Sequence, residues 1–317
     1  MMFDIDNKIT LDDSTNSYEF YSHHPFTSRF NNNDEIRIPV PEDLCIRLYD
    51  SYVYVEGRLV KLEDNKQVPA TDTKFVNNGI SHLFSDMRLE INGVVNDACY
   101  KPEIASTIKG LVSFNQGETI RLKNAGLCPT ETSTIVDGGK FSVCLPLKIL
   151  FGIAEDFKKV LVNIPIELIL IRNNTDTNAL ICSTQEQASV IIDKLCWRVP
   201  HIIPGLREEI RITKFIEKGK DAIVAFRSSE LHSYPALPNT TKHTWPIKTS
   251  TKVETPRYVI LGFQTKRDGD IKKDCSKFDN CDFTNIRVYL NSDRFPYENV
   301  NNSFANNQFA ILYDMST

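Results

Sequence analysis

The chain has 317 residues, 41% hydrophobic and 25% charged. That balance predicts a packed globule, and the length fits two domains or one large all-β domain. Its 37 basic and 41 acidic residues leave a formal net charge of −4, which excludes a protein that grips nucleic acid by bulk charge. Residues 1–200 carry 20 Lys and Arg against 27 Asp and Glu, and residues 201–317 carry 17 against 14, so the second part is only mildly basic.

No run of 18 apolar residues is present, so no transmembrane helix is predicted. The start, MMFDIDNKITLDDSTN, is acidic and has no apolar h-region, so no secretory signal is predicted. The eight cysteines (Cys45, Cys99, Cys128, Cys144, Cys182, Cys196, Cys275 and Cys281) form no CxxC and are expected to be reduced thiols, mostly filling core. The sequons at Asn173, Asn239 and Asn301 are expected to be unused, because no secretion is predicted.

In chain order, EIRIPVP (35–41) alternates Ile36, Ile38 and Val40, the period of a half-buried strand. CIRLYDSYVYVEGRLVKL (45–62) reads as one long strand or a bent pair. MRLEINGVVND (87–97) sets Asn92-Gly93 between two β-prone runs and predicts a hairpin. KPEIASTIKGLVSFN (101–115) predicts a helix with Pro102 in its first turn and Ile104, Ile108, Leu111 and Val112 along one face. GKFSVCLPL (139–147) alternates Phe141, Val143 and Leu145, and a short helix is predicted around Leu147–Phe151. LVNIPIELILIRNNTDTN (161–178) predicts a long strand, with Ile164, Ile166, Leu168 and Leu170 toward a core and Ile169 and Ile171 toward a second layer or a subunit contact. ASVIIDKLCWRVP (188–200) is a further long strand. DAIVAFRSS (221–229), RYVILGFQTK (257–266) and NIRVYLNS (285–292) complete the series. Many strands with few helices and polar turns between them predict a β-sandwich class protein. Pro200 and Pro204 in WRVPHIIPGLREE (197–209) predict a domain boundary, because neither a central strand nor a helix passes through them easily.

Chemistry is hard to find. The six histidines, His23, His24, His82, His201, His232 and His243, include no His-x-His, the spacing by which strands of a jelly-roll enzyme aim two ligands inward. CSKFDNC (275–281) beside KRDGDIKKD lacks partners for a zinc site and is expected to be a solvated loop. There is no GxSxG, Walker loop or GxGxxG. No catalytic, cofactor-binding or metal residue is therefore predicted, which leans toward a structural role. The aromatics Tyr289, Phe295, Tyr297, Phe304, Phe309 and Tyr313, in an Asn-rich setting, suit either core anchors of a long loop or an interaction loop.

FVNNGISHLFSDMRLEINGVVND (75–97), PLKILFGIAEDFKKVLVNIPIELILIRNNTDTNA (146–179) and NIRVYLNSDRFPY (285–297) resemble double jelly-roll major capsid proteins. The likeness is to those of polinton (Maverick) elements, adintoviruses and related double-stranded DNA viruses. Trp197-Arg198-Val199-Pro200 is similar to a motif near the end of the first barrel, and PRYVILGFQT (256–265) looks like a strand of the second.

The resemblance covers roughly residues 18–315. It implies an all-β double jelly roll: an N-terminal arm at 1–17, a first jelly roll at 18–202 and a second at 203–317. It also implies a non-enzymatic major capsid protein forming pseudo-hexagonal homotrimers in an icosahedral virion capsid. Its partners would be neighbouring capsomers and penton or minor capsid proteins, with no specific readout of nucleic acid. Synthesis would be in the host cytoplasm or nucleus. Family members usually continue past the segment matching 306–315, so the second barrel is expected to be partial and the chain to assemble poorly alone. The competing readings are a β-sandwich module that binds a glycan or protein through exposed aromatics, and a jelly-roll enzyme with a site built from distant residues.

Overall fold

The computed structural model describes residues 14–42, 45–63, 66–69, 72–127, 139–182, 188–219, 221–234, 236–248 and 256–315. Most of the expected N-terminal arm, and Cys128, lie outside the described residues. Eight long strands organise the first part: β1 (Thr15–His23), β2 (Glu35–Val40), β3 (Tyr52–Glu63), β4 (Phe84–Ile91), β5 (Val94–Tyr100), β6 (Lys140–Pro146), β7 (Ile166–Arg172) and β8 (Ala188–Pro204).

One sheet runs β1–β8–β3–β6 and the other β2–β7–β4–β5, all antiparallel. The chain changes sheet at every step except the β4–β5 hairpin, which is the connectivity of a jelly roll. The inward residues of both sheets form one cluster. Ile36 and Ile38 of β2, Val53 and Val55 of β3, Val143 and Leu145 of β6, Leu168 and Leu170 of β7, and Trp197 and Val199 of β8 are all buried in it. Each such side chain contributes about 1.5–3 kcal/mol by leaving water.

The hairpin forms as its sequence predicts. Asn92 (φ 53°) and Gly93 (φ 74°) both take the left-handed conformation that a tight type I′ turn needs. The run 45–62 is a bent pair: a short strand at Cys45–Ile46 and a single turn at Leu48–Asp50 precede β3, with the Ser51 hydroxyl donating to the Leu48 carbonyl at 2.8 Å.

Several expectations need correction. The run 161–172 is not one strand. Asn163 (φ 52°) and Pro165 break it, so Leu161–Val162 pairs with Cys45–Ile46 in the first sheet and β7 lies in the second. Ile169 does not await a subunit contact. It is buried within this chain, in register between Arg37 and Arg88.

The strand β8 runs through Pro200 and ends at Pro204. Beyond Arg198 it is held by β1 on one side and by a single bridge, His201 to Ile46, on the other, an edge-like setting that tolerates proline. Helix α1 (Pro102–Ser113) buries Pro102, Ser106, Thr107 and Gly110, while Leu111 and Val112 are about half exposed. The reason is Asn78, fully buried in the left-handed conformation, whose amide donates to Ser106 Oγ (2.6 Å), Thr107 Oγ1 (3.1 Å) and the Glu103 carbonyl (3.3 Å). A polar network outranks the aliphatic stripe because those groups, once buried, must be paired. Helices α2 (Gln116–Leu122), α3 (Leu147–Leu150) and α4 (Gly152–Asp156) complete this part.

After β8 the pattern changes. Helix α5 (Leu206–Glu217) has no buried residue. Among the described residues, the expected strands 221–229 and 257–266 form no ladder beyond the bridge Phe263 to Asp279. The expected strand 285–292 shrinks to β9 (Val288–Leu290), which pairs with β10 (Asp293–Phe295). Helix α6 (Ala310–Asp314) follows. Among the described residues after 204, β9 and β10 are the paired strands. Strand propensity yields a strand only where a partner backbone and a covered face exist.

Candidate assembly surfaces

Two sets of contacts among the described residues stand out in bringing the second part back onto the jelly roll, beside a bond from Lys101 to Ser233 (3.3 Å). Arg227 donates from its backbone N (2.8 Å), Nε (2.9 Å) and a terminal nitrogen (2.6 Å) to the carboxylate of Asp156 at the end of α4. The side-chain bond from Arg227 holds the Asp156 carboxyl below its usual range. Phe226 packs on the core, and the backbone beside it lies so close that a Cβ on Gly152 would stand 1.7 Å from the Arg227 carbonyl oxygen.

The second contact is made by residues 264–279. Asn178 donates to Asp268 (2.6 Å) and accepts from the Gly269 N–H (2.8 Å), and Cys182 N donates to the Ile271 carbonyl (3.0 Å). The segment around Cys275 is therefore docked and not the solvated loop expected. Cys275 is buried, its thiol is pushed up to about 12 by that burial, and Cys281 is exposed.

At one end of the sandwich, Arg172 is fully buried. It donates to the Leu83 carbonyl (2.9 Å), Asn32 Oδ1 (2.8 Å) and Asp176 Oδ1 (2.8 Å), while Asp176 also accepts from Val190 N (2.8 Å). This node shapes the polar loop after β7. At the edge of the first sheet, β1 turns Tyr18, Phe20 and Tyr21 outward, with Phe20 tilted against Tyr52. His23 and His201 meet at 2.9 Å between their Nε2 atoms, and burial, then His201 and His24, push His23 down to about 4. Sequence inspection misses this pair, since the two histidines lie on strands far apart in the chain.

His82 is buried, with no hydrogen-bond partner on Nε2 among the described residues, and burial pushes it down to about 4. Burial also raises Glu103 to about 7. His232 lies 3.3 Å from Glu230, and His243 packs on Tyr234. Among the described residues no group of three His, Cys, Asp or Glu is placed to hold a metal ion, and no helix is long and apolar enough to cross a membrane. The late aromatics divide between the two readings left open. Phe283 meets Phe304 edge-on and Phe304 stacks on Phe309, which stays partly exposed, whereas Tyr289, Phe295, Tyr297 and Tyr313 are exposed, Tyr297 at 87%.

The apolar outer surface is considerable: the aromatics of β1, Leu111 and Val112 of α1, Leu206 and Ile216 of α5, and the consecutive run Tyr258, Val259, Ile260 and Leu261. Exposed apolar residues suit an interaction surface where they gather into one patch, as in the consecutive run 258–261.

The solved structures that share features with the chain include the Faustovirus major capsid protein (10% identity, TM-score 0.46, covering 67% of this chain and 58% of that one). The mavirus major capsid protein is another (12%, TM-score 0.38, 64% and 49%). A third is from the PBCV-1 virus capsid (18%, TM-score 0.38, 67% and 47%). The chain spans about half the length of these structures. No curated protein matches it. A family model described as a double jelly roll-like domain matches residues 73–317. That span takes in β4 to β8 of the jelly roll and all of the less paired part after it, so the chain belongs to the double jelly roll-like domain family and its fold class is the all-β double jelly roll.

Proposed function

We propose that the chain is a major capsid protein, without enzyme activity, that builds pseudo-hexagonal homotrimeric capsomers of an icosahedral double-stranded DNA virus or virus-like element. The observation that carries this reading is a closed jelly roll of the double jelly roll-like family whose remaining apolar surface faces outward. The motifs at 75–97, 146–179 and 285–297 that resemble those of capsid proteins point the same way. The first jelly roll would take residues 18–202, extended slightly by the observed ends of β1 and β8, and the second residues 203–317. Neighbouring capsomers and penton or minor capsid proteins would cover the outer faces, and the protein would reside in the virion capsid.

Light scattering with negative-stain imaging tests the reading. Particles of three times the 36.2 kDa chain mass with a pseudo-hexagonal outline would support it, and would overturn the expectation that the chain assembles poorly alone. A stable monomer that binds a glycan through the exposed tyrosines would overturn it, and one zinc or iron per chain in elemental analysis would overturn the non-enzymatic part.

A further inference from the structure

The turn before β3 carries Tyr49, and three cations converge on its ring. Arg47 Cζ lies 5.5 Å from the ring centre, Lys148 Nζ 4.9 Å and Lys158 Nζ 5.0 Å. Arg47 is paired with Asp50 at 3.2 Å, and Asp50 also accepts from the Tyr18 hydroxyl at 2.8 Å. The acidic residues of α4 are engaged elsewhere: Glu155 holds Lys109 at 2.7 Å, and Asp156 holds Arg227. Lys148 and Lys158 thus have no carboxylate within ion-pair distance among the described residues. Their ammonium groups are at most about 10 Å apart, near one Debye length at 0.1 M salt, so each feels the other. The ring's quadrupole attracts both but cancels neither charge. A cavity of about 360 Å³ adjoins Lys148, lined by Tyr49, Asp50, Tyr52, Asn124 and Lys148 among others, and Lys158 reaches the Tyr49 ring from outside that lining. That size lies within the range of small-ligand sites.

We propose that Lys148 and Lys158 form a phosphate-binding site on this protein, independent of its assembly. Two point charges suit a terminal phosphate, which carries about two negative charges, or two successive phosphates of a nucleic-acid backbone with one charge each, and neither needs a bidentate fork. The Asp50 carboxylate on the cavity wall repels an anion there, which places the phosphate on the lysine side. The rings of Tyr49 and Tyr52 and the Asn124 amide leave room for a planar group attached to that phosphate. The phosphate belongs to a nucleic-acid backbone or to a small phosphorylated compound, and the chemistry at the lysines is the same for both.

The test uses the full chain with two probes, inorganic pyrophosphate and a short DNA duplex, titrated by calorimetry and by fluorescence anisotropy at several salt concentrations. The double variant Lys148→Gln, Lys158→Gln is expected to weaken pyrophosphate binding about tenfold or more. It should also lower the log–log salt slope for the duplex by about 2 if the backbone is the source. Pyrophosphate binding without duplex binding assigns the small compound. Lys272→Gln with Lys277→Gln should change neither probe. Lys148→Arg with Lys158→Arg, which keeps the charge, should retain binding and separates charge from folding. Binding unchanged in the double Gln variant, no binding of either probe by the folded chain, or preference for a glutamate-rich peptide over pyrophosphate overturns the proposal.

Discussion

The jelly roll and the part after Pro204 are written in similar residues and end differently. Ile36, Ile38 and Val40 of β2 alternate, meet β7 across a ladder and vanish into the core. Tyr258, Val259, Ile260 and Leu261 are as apolar and as β-prone, have no ladder among the described residues, and remain exposed. What separates them is the supply of partners, because a strand is stabilised by its cross-strand neighbours and by the sheet opposite. Among the described residues the two parts meet at Arg227 on Asp156 and at Asn178 on Asp268, among other points.

The sharpest way to test this difference is to remove one large side chain from each part. Trp197→Ala, at a fully buried position, should cost about 3–5 kcal/mol in urea unfolding, whereas Tyr297→Ala should stay within about 0.5 kcal/mol. A loss at Tyr297 equal to that at Trp197 would mean that the second part is as tightly packed as the first.

Arg172→Ala tests the closed end of the jelly roll. It leaves Asp176 buried without its cation and should cost about 3–5 kcal/mol, with faster proteolysis of the loop after β7. Arg172→Met with Asp176→Leu should recover much of the loss if the node serves stability alone.

Acid should weaken the jelly roll through His82. Its folded pKa of about 4 lies below the ordinary value of 6.5, so between those values the unfolded chain binds more protons and stability falls as pH drops. The sign is opposite for Glu103. Its raised value of about 7 means that the folded state holds the extra proton between its ordinary 4.5 and 7, a contribution lost as pH rises through 7. His82→Gln should flatten the acid limb, worth up to about 3 kcal/mol, in thermal melts from pH 7 to 4. Glu103→Gln removes the opposing contribution between 4.5 and 7, so the fall in stability toward acid should become steeper over that window.

Gly152→Ala addresses the contact between the parts directly. The new Cβ would collide with the Arg227 carbonyl, so residues 226–227 should lift away. The expected cost is about 1–3 kcal/mol, with new proteolytic cuts near Arg227 and an intact jelly-roll core. Unchanged cleavage would show that the contact re-forms elsewhere.

Much of the first part is legible in the amino-acid sequence. Period-two runs locate β2, β6 and β8, and Asn92-Gly93 locates the β4–β5 hairpin, because backbone pleat and turn sterics act over a few residues. The motif around Asn77-Asn78 is visible as a resemblance, while its role, a buried amide holding α1, is not.

Tertiary structure decided the rest. It broke 161–172 at Asn163 so that one run serves two sheets, turned α1 so that Leu111 and Val112 face out, and left 257–262 without a ladder among the described residues. It also gathered Arg47, Lys148 and Lys158 on Tyr49 from segments far apart in the chain. Local patterning determines which residues suit a strand or a turn. Partner choice, the covered face of a helix and convergent charge depend on contacts between distant segments, and those exist only once the sheets have closed.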